Sequence, residues 1–150
     1  MTVAFIGPDN YERTALLAID IWKVLTKLVV DENATIFLFS NANSFDSDCY
    51  TVVSQMKERN NEIEMHYYHG VFDYDVGYVS YMSEIYDKVF FPPKGAPFPR
   101  YLRDRTMIDN CDVLVTWCNN EKSDAGRQNA AELAIAYAQM KNKRIINLFA

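Results

Sequence analysis

The sequence predicts an α/β protein built on a doubly wound, Rossmann-like, mostly parallel five-stranded sheet with helices on both faces. Two observations carry this expectation. Short runs of β-branched and aromatic residues alternate along the chain with longer segments of helical spacing, the order that builds parallel βαβ units. The strand runs are also apolar along their whole length rather than at every second residue, as strands buried on both faces must be. Parallel connections are right-handed, so the doubly wound arrangement is the natural topology.

"TVAFIG", closed by Gly7, reads as a buried first strand. In "DNYERTALLAIDIWKVLTKLVV" residues Leu16, Ile19, Trp22, Val24, Leu25 and Leu28 fall near helical spacing behind caps at Asp9 or Asn10. Ala34 to Phe39 is a second strand, and "SFDSDCYTVVSQMKERN" a helix capped near Ser44 with Val52, Val53 and Met56 inward. "IEMHYYH" is the third strand. Residues 70–99 are rich in Tyr and Pro and keep no long period, which predicts a loop, acting as a lid or insertion, around a short helix near Tyr78 to Ile85. "PRYLRDRTMIDNC" then reads as a helix, "DVLVTWC" as the fourth strand, "AGRQNAAELAIAYAQMKN" as a helix and "RIINLF" as the fifth strand.

A chain of 150 residues, 49% hydrophobic and 14% aromatic, suits one packed domain and argues against disorder. A net charge of -5 disfavours a nonspecific nucleic-acid binder, yet leaves room for a small anion held by a local basic cluster. The three Cys are odd in number and lack metal-ligand spacing, and the N-terminus has no signal-peptide pattern. These features predict a cytoplasmic protein with reduced thiols, no metal and no cofactor. No apolar run approaches the roughly 20 residues of a membrane span.

In doubly wound sheets ligands bind beyond the carboxyl ends of the strands. The first such loop offers Gly7 and Pro8 ahead of a helix start able to hold an anion, or simply a tight capped turn. In the second, Ser40, Asn41, Asn43 and Ser44 are small and polar enough to curl around a ligand, and only Asn41 or Asn43 can adopt a positive φ cheaply. Asp46 either accepts hydrogen bonds from a ribose or is the acidic first-turn residue a helix dipole favours. Arg103 falls at the edge of a helix face anchored by Met107 and Ile108, where a guanidinium suits a phosphate or carboxylate, or else pairs with Asp109 or Asp112. Arg105 assists it or faces solvent. Gly126 precedes the last helix, and Glu132 shares a face with Asn129 three residues earlier, or is a plain first-turn Glu. The tyrosines of the middle region suit a lid that stacks on a base or a subunit interface, and the His66/His69 pair is not a convincing metal site.

The order "FIG", "FLFSNANSFDSDC", "IYDKVFFPP", "RDRTMIDNCDVLV" and "AELAIAYAQMKNKRIINLF" resembles the SLOG superfamily over nearly the whole chain. That superfamily comprises Rossmann-like nucleotide-binding domains and includes the lonely-guy phosphoribohydrolases. Arg103, Met107 and Asp112 match the first part of the phosphoribohydrolase signature, Arg-Lys-x-x-Met followed by Ser-Asp, and Gly126 and Glu132 match its Gly-rich second part. The departures are Asp104 for Lys, Cys111 for Ser, Ala125 to Asn129 in place of the Gly-Gly-x-Gly-Thr loop, and Asn-Ala-Asn-Ser at 41–44 for the early Gly-Gly. The resemblance implies a small nucleotide-like ligand, a homodimer or higher homo-oligomer, and cleavage of an N-ribosidic bond. In that reaction Glu132 would assist the water or ribose, Arg103 would orient the substrate, and Arg127 and Asn129 would hold phosphate at the helix start. The departures equally suit a non-catalytic sensor or sequestering protein for a nucleotide-derived signal.

Overall fold

Eleven elements follow one another along the chain in the computed structural model, which describes residues 1–119 and 129–149. They are β1 (Thr2–Phe5), α1 (Ala15–Glu32), β2 (Ile36–Phe39), α2 (Ser44–Arg59), β3 (Glu64–Tyr68), α3 (Val76–Ile85), β4 (Lys88–Phe90), α4 (Pro99–Asp109), β5 (Val113–Thr116), α5 (Ala130–Met140) and β6 (Arg144–Asn147). The strands form one parallel sheet in the order β4-β3-β2-β1-β5-β6. The fold is therefore α/β and Rossmann-like. Strand order reverses between β1 and β5, where Val3 sits beside Val113 on one side and beside Phe37 on the other.

Both faces of the sheet are covered because the strands are apolar at successive positions. Val3, Phe5, Phe37, Phe39, Met65 and Tyr67 pack toward α1, α2 and α3, with Phe5 stacked on Phe39 at 5.0 Å between ring centroids. Ala4, Ile6, Leu38, Tyr68 and Leu114 pack toward Met107 and Ile108 of α4 and Ala134 and Ala138 of α5. Met107 and Ile108 thus anchor α4 as their spacing predicts. Cys49, Cys111 and Cys118 are buried and form no disulfide among the described residues, and burial raises all three thiols, Cys111 to about 11.

The sheet has six strands where the sequence predicts five. The extra strand, β4, lies inside the segment expected to be a loop. It is only three residues long, and its apolar run, Val89 to Phe91, is cut off at once by Pro92 and Pro93, too short to stand out as a strand. Pairing with β3 makes it a strand, and Asp87 starts that pairing by accepting from the Met65 backbone N–H at 2.7 Å and donating its own to Met65 O at 2.9 Å. Helix α1 also differs from expectation. Its cap is Thr14, not Asp9 or Asn10, and its buried face is Leu17, Ile21, Leu25 and Leu28, leaving Leu16, Ile19 and Trp22 exposed. The helix is apolar on more than one side, so packing rather than composition selects the phase. Helix α2 starts at Ser44 behind an Asn43 cap.

Candidate functional site

A cleft of about 520 Å³ opens beyond the carboxyl ends of β1, β2 and β3. The loops after β1 and β2 contribute Gly7 and Ser40 to Asn43, the end of β3 contributes Tyr67, His69 and Gly70, α4 contributes Arg103 and Asp104, and α5 contributes Ala130 and Leu133. The cleft adjoins the point where strand order reverses, as the topology leads one to expect.

The β2–α2 loop is fixed from below. Asn43 caps α2 by accepting from the Asp46 N–H at 3.0 Å, while its own amide donates to Gly7 O at 2.9 Å and ties the first two loops together. Asn41 has φ 54°, the left-handed conformation that Asn tolerates. Asp46 is 1% exposed and takes the N–H groups of Asn41 at 2.6 Å and Ser40 at 3.4 Å. It lies behind the loop, outside the residues that line the cleft, and holds the backbone rather than meeting a ribose. Gly7 and Pro8 are buried, and Ser44 is exposed as the first residue of α2. Gly7 is required by close packing: a Cβ there would lie 2.7 Å from the Phe45 Cβ.

Burial raises the Asp46 carboxyl from its ordinary 3.8 to about 7, against the lowering effect of the two N–H donors and of Arg103. The sign for stability follows from linkage. Between 3.8 and about 7 the folded chain holds a proton that the unfolded chain has lost. The contribution therefore favours folding at low pH and disappears as pH rises through about 7. Melting temperatures of wild type and Asp46→Asn, measured from about pH 5 to about pH 8, should show the wild-type value falling relative to the variant as pH rises. A constant difference would mean an ordinary Asp46 carboxyl.

Two cations line the cleft, the exposed Arg100 and the more deeply set Arg103. The Arg103 side chain is 10% exposed and its Nε donates to Asp104 Oδ1 at 2.9 Å. The partner is thus the adjacent residue, not Asp109 or Asp112. Burial raises the Asp104 carboxyl, with Arg103 opposing the shift. Among the described residues the distal guanidinium nitrogens make no hydrogen bond, so two N–H faces remain for a ligand. Gly70 makes space for this side chain, since a Cβ there would lie 2.9 Å from the Arg103 Cζ.

Arg105 takes no part in this arrangement. Its guanidinium lies over the rings of Tyr101 and Tyr137, at 4.6 and 4.9 Å from their centroids, in a separate 210 Å³ pocket between α4 and α5. Asn129 is the cap of α5, accepting from the Glu132 N–H at 2.9 Å while its amide lies 3.4 Å from Glu132 Oε1. This reciprocal pair is a capping arrangement, and neither side chain lines the cleft, although Ala130 and Leu133 of the same turn do. Gly126 and Arg127 lie outside the described residues. No group of His, Cys, Asp and Glu among the described residues is placed to hold a metal ion, and no described helix is long and apolar enough to cross a membrane.

The aromatic side of the cleft goes beyond the expected tyrosine lid. Tyr67 Oη is 2.7 Å from His69 Nδ1 and 3.5 Å from Tyr78 Oη, and the His69 ring is packed among Phe91, Tyr78 and Tyr74 at 4.6, 5.2 and 5.6 Å between centroids. His69, Gly70 and Asp104 are the site residues that spacing does not single out. The available signal is position: "HYYHG" ends a strand at its carboxyl end, directly before a Gly.

No protein-family model and no curated protein matches the chain.

Proposed function

We propose that the protein binds a nucleotide or nucleoside phosphate in this cleft and belongs among the SLOG-type domains its motifs resemble. The observation that carries the reading is the nearly buried Arg103 guanidinium, which lines a strand-end cleft with its distal N–H groups free of hydrogen bonds among the described residues. A desolvated guanidinium with two open donors is suited to grip a phosphate bidentately. Polar Ser40 to Asn43 on one side and the rings of Tyr67, His69 and Tyr78 on the other suit a sugar phosphate carrying a planar base.

Hydrolysis of an N-ribosidic bond would require a carboxylate at the sugar. Glu132, in the first turn of α5, would take that role by turning from Asn129 toward the cleft, where it would stabilise the oxocarbenium-like transition state and position water. A non-catalytic sensor or sequestering protein is the second reading. It is favoured by the engagement of the nearby carboxylates: Asp46 holds the loop, Asp104 pairs with Arg103, and Glu132 sits beside Asn129.

Incubation with nucleoside monophosphates, cyclic nucleotides and NAD-derived compounds, followed by chromatography and mass spectrometry, separates the two. Release of free base that disappears in Glu132→Gln establishes the glycosidase. Retention of intact ligand establishes the sensor, and failure to retain or cleave any phosphate-bearing compound refutes the site.

A further inference from the structure

The chain of hydroxyls leading to His69 has a direction. Tyr78 and Tyr67 each carry one phenolic proton, and the His69 Nδ1 lies at the end of the chain, 2.7 Å from Tyr67 Oη. An imidazole lone pair is a stronger acceptor than a phenol oxygen, and Tyr78 Oη at 3.5 Å is too distant to compete with Nδ1 at 2.7 Å for the Tyr67 proton. The consistent arrangement is Tyr78 donating to Tyr67, Tyr67 donating to Nδ1, and the single imidazole proton on Nε2. Tyr67 is held as the neutral phenol, its ionisation raised by burial, and His69 is held as the neutral ring by burial and by the charge of Arg103. The ring cannot rotate to exchange its nitrogens without leaving its packing against Phe91, Tyr74 and Tyr78. Its backbone N–H is fixed to Phe90 O at 2.8 Å, which ties the residue to β4.

We propose that His69 is the second anion-binding donor of the cleft, its Nε2–H set by Tyr67 and Tyr78 and directed at the phosphate-bearing ligand beside Arg103. This assignment rests on the reading of the cleft as a phosphate-ester site. The two donors come from different elements and lie close together: Arg103 from α4 and His69 just past β3, with the guanidinium against Gly70, the residue after His69. Among the described residues Nε2 has no hydrogen-bond partner of its own. A neutral donor next to a paired guanidinium adds direction without adding charge, which suits discrimination of a phosphate ester from a simple halide or carboxylate.

The chain contains only two histidines, so long-range ¹H–¹⁵N spectra of the full-length, ¹⁵N-histidine-labelled protein can assign both rings. The buried His66, whose Nε2 has no hydrogen bond, provides the internal contrast. In the free protein at neutral pH His69 should be the Nε2–H tautomer, and Tyr67→Phe should convert it to a mixture of tautomers. Titration with adenosine 5′-monophosphate or inorganic phosphate should shift the His69 Nε2 resonance and leave that of His66 in place. His69→Phe, which keeps the ring packing, should weaken binding of both probes about threefold to tenfold, the range for one neutral hydrogen bond. His69→Gln, which keeps a donor near the Nε2 position, should restore part of it.

An Nδ1–H tautomer in the free protein overturns the assignment. Full affinity in His69→Phe, in a protein whose binding is still lost in Arg103→Ala, overturns it while leaving the anion site intact. Binding of neither probe to the wild type overturns the reading of the cleft itself, and this role with it.

Discussion

Arg103→Ala should weaken binding of adenosine 5′-monophosphate by about 10-fold to 150-fold and leave adenosine almost unaffected. The range corresponds to about 1.5–3 kcal/mol for a charge-assisted hydrogen bond to a desolvated guanidinium. The larger part of that range applies because the side chain is 10% exposed and its geometry is already set by Asp104 and Gly70. Truncation has a second effect that reinforces the first: it leaves Asp104, whose carboxyl burial already destabilises in its charged form, without its partner. Gly70→Ala tests the same site without removing the charge. An added Cβ would overlap the guanidinium, so Arg103 must move, and phosphate binding should fall in the same direction. Calorimetric titration of both variants with the nucleotide and the nucleoside checks this. Parallel losses for the two ligands would show that Arg103 acts on the fold of the cleft and not on the phosphate.

Gly7→Ala should destabilise the protein by about 1–3 kcal/mol, the usual cost of forcing an extra methyl group into a packed core. For a chain of this size that corresponds to a fall in melting temperature of a few degrees to about 10 °C. The added Cβ would lie 2.7, 2.8 and 2.9 Å from the Cβ, Cδ2 and Cγ of Phe45. Phe45 is fully buried and edge-packed on Tyr11 at 5.3 Å, so it cannot swing away. A double-mutant cycle isolates the collision: in a Phe45→Ala background Gly7→Ala should cost much less than in the wild type. Equal costs in the two backgrounds would place the strain elsewhere. The same substitution should disturb the site, because Gly7 O holds the Asn43 side chain that caps α2.

Much of the architecture is legible in the residues because strand and helix periodicities are local signals. Five of the six strands and the inward positions Val52, Val53, Met107 and Ile108 follow from spacing alone. The absence of Gly narrows any positive φ in that loop to Asn41 or Asn43, and the folded loop places it at Asn41, with Asn43 extended. What spacing does not yield is set by neighbours distant in sequence. β4 is a strand only through its pairing with β3. The face of α1 is selected by packing among several apolar options. Asp46 is an acidic first-turn residue in the sequence, and only the folded loop shows its carboxylate turned back onto Ser40 and Asn41. The helix face places Arg103 at the edge of the buried side, where the folded chain has it. Its partner is not legible, because Asp104 is the adjacent residue and adjacent residues do not face each other on an ideal helix. Arg105 belongs to the same basic cluster in the sequence, yet one residue of helix rotation beyond Asp104 carries it into the Tyr101–Tyr137 sandwich.

The burial of all three thiols governs how the folded chain ages. Alkylating and oxidising agents attack thiolates, and here the thiolate is suppressed at Cys49, Cys111 and Cys118 alike. Attack therefore waits for a region of the protein to open. The three sulfurs are distributed through the layers, Cys49 under α2, Cys111 behind α4 and Cys118 just past β5. A molecule damaged at one of them carries a lasting mark of which layer came apart.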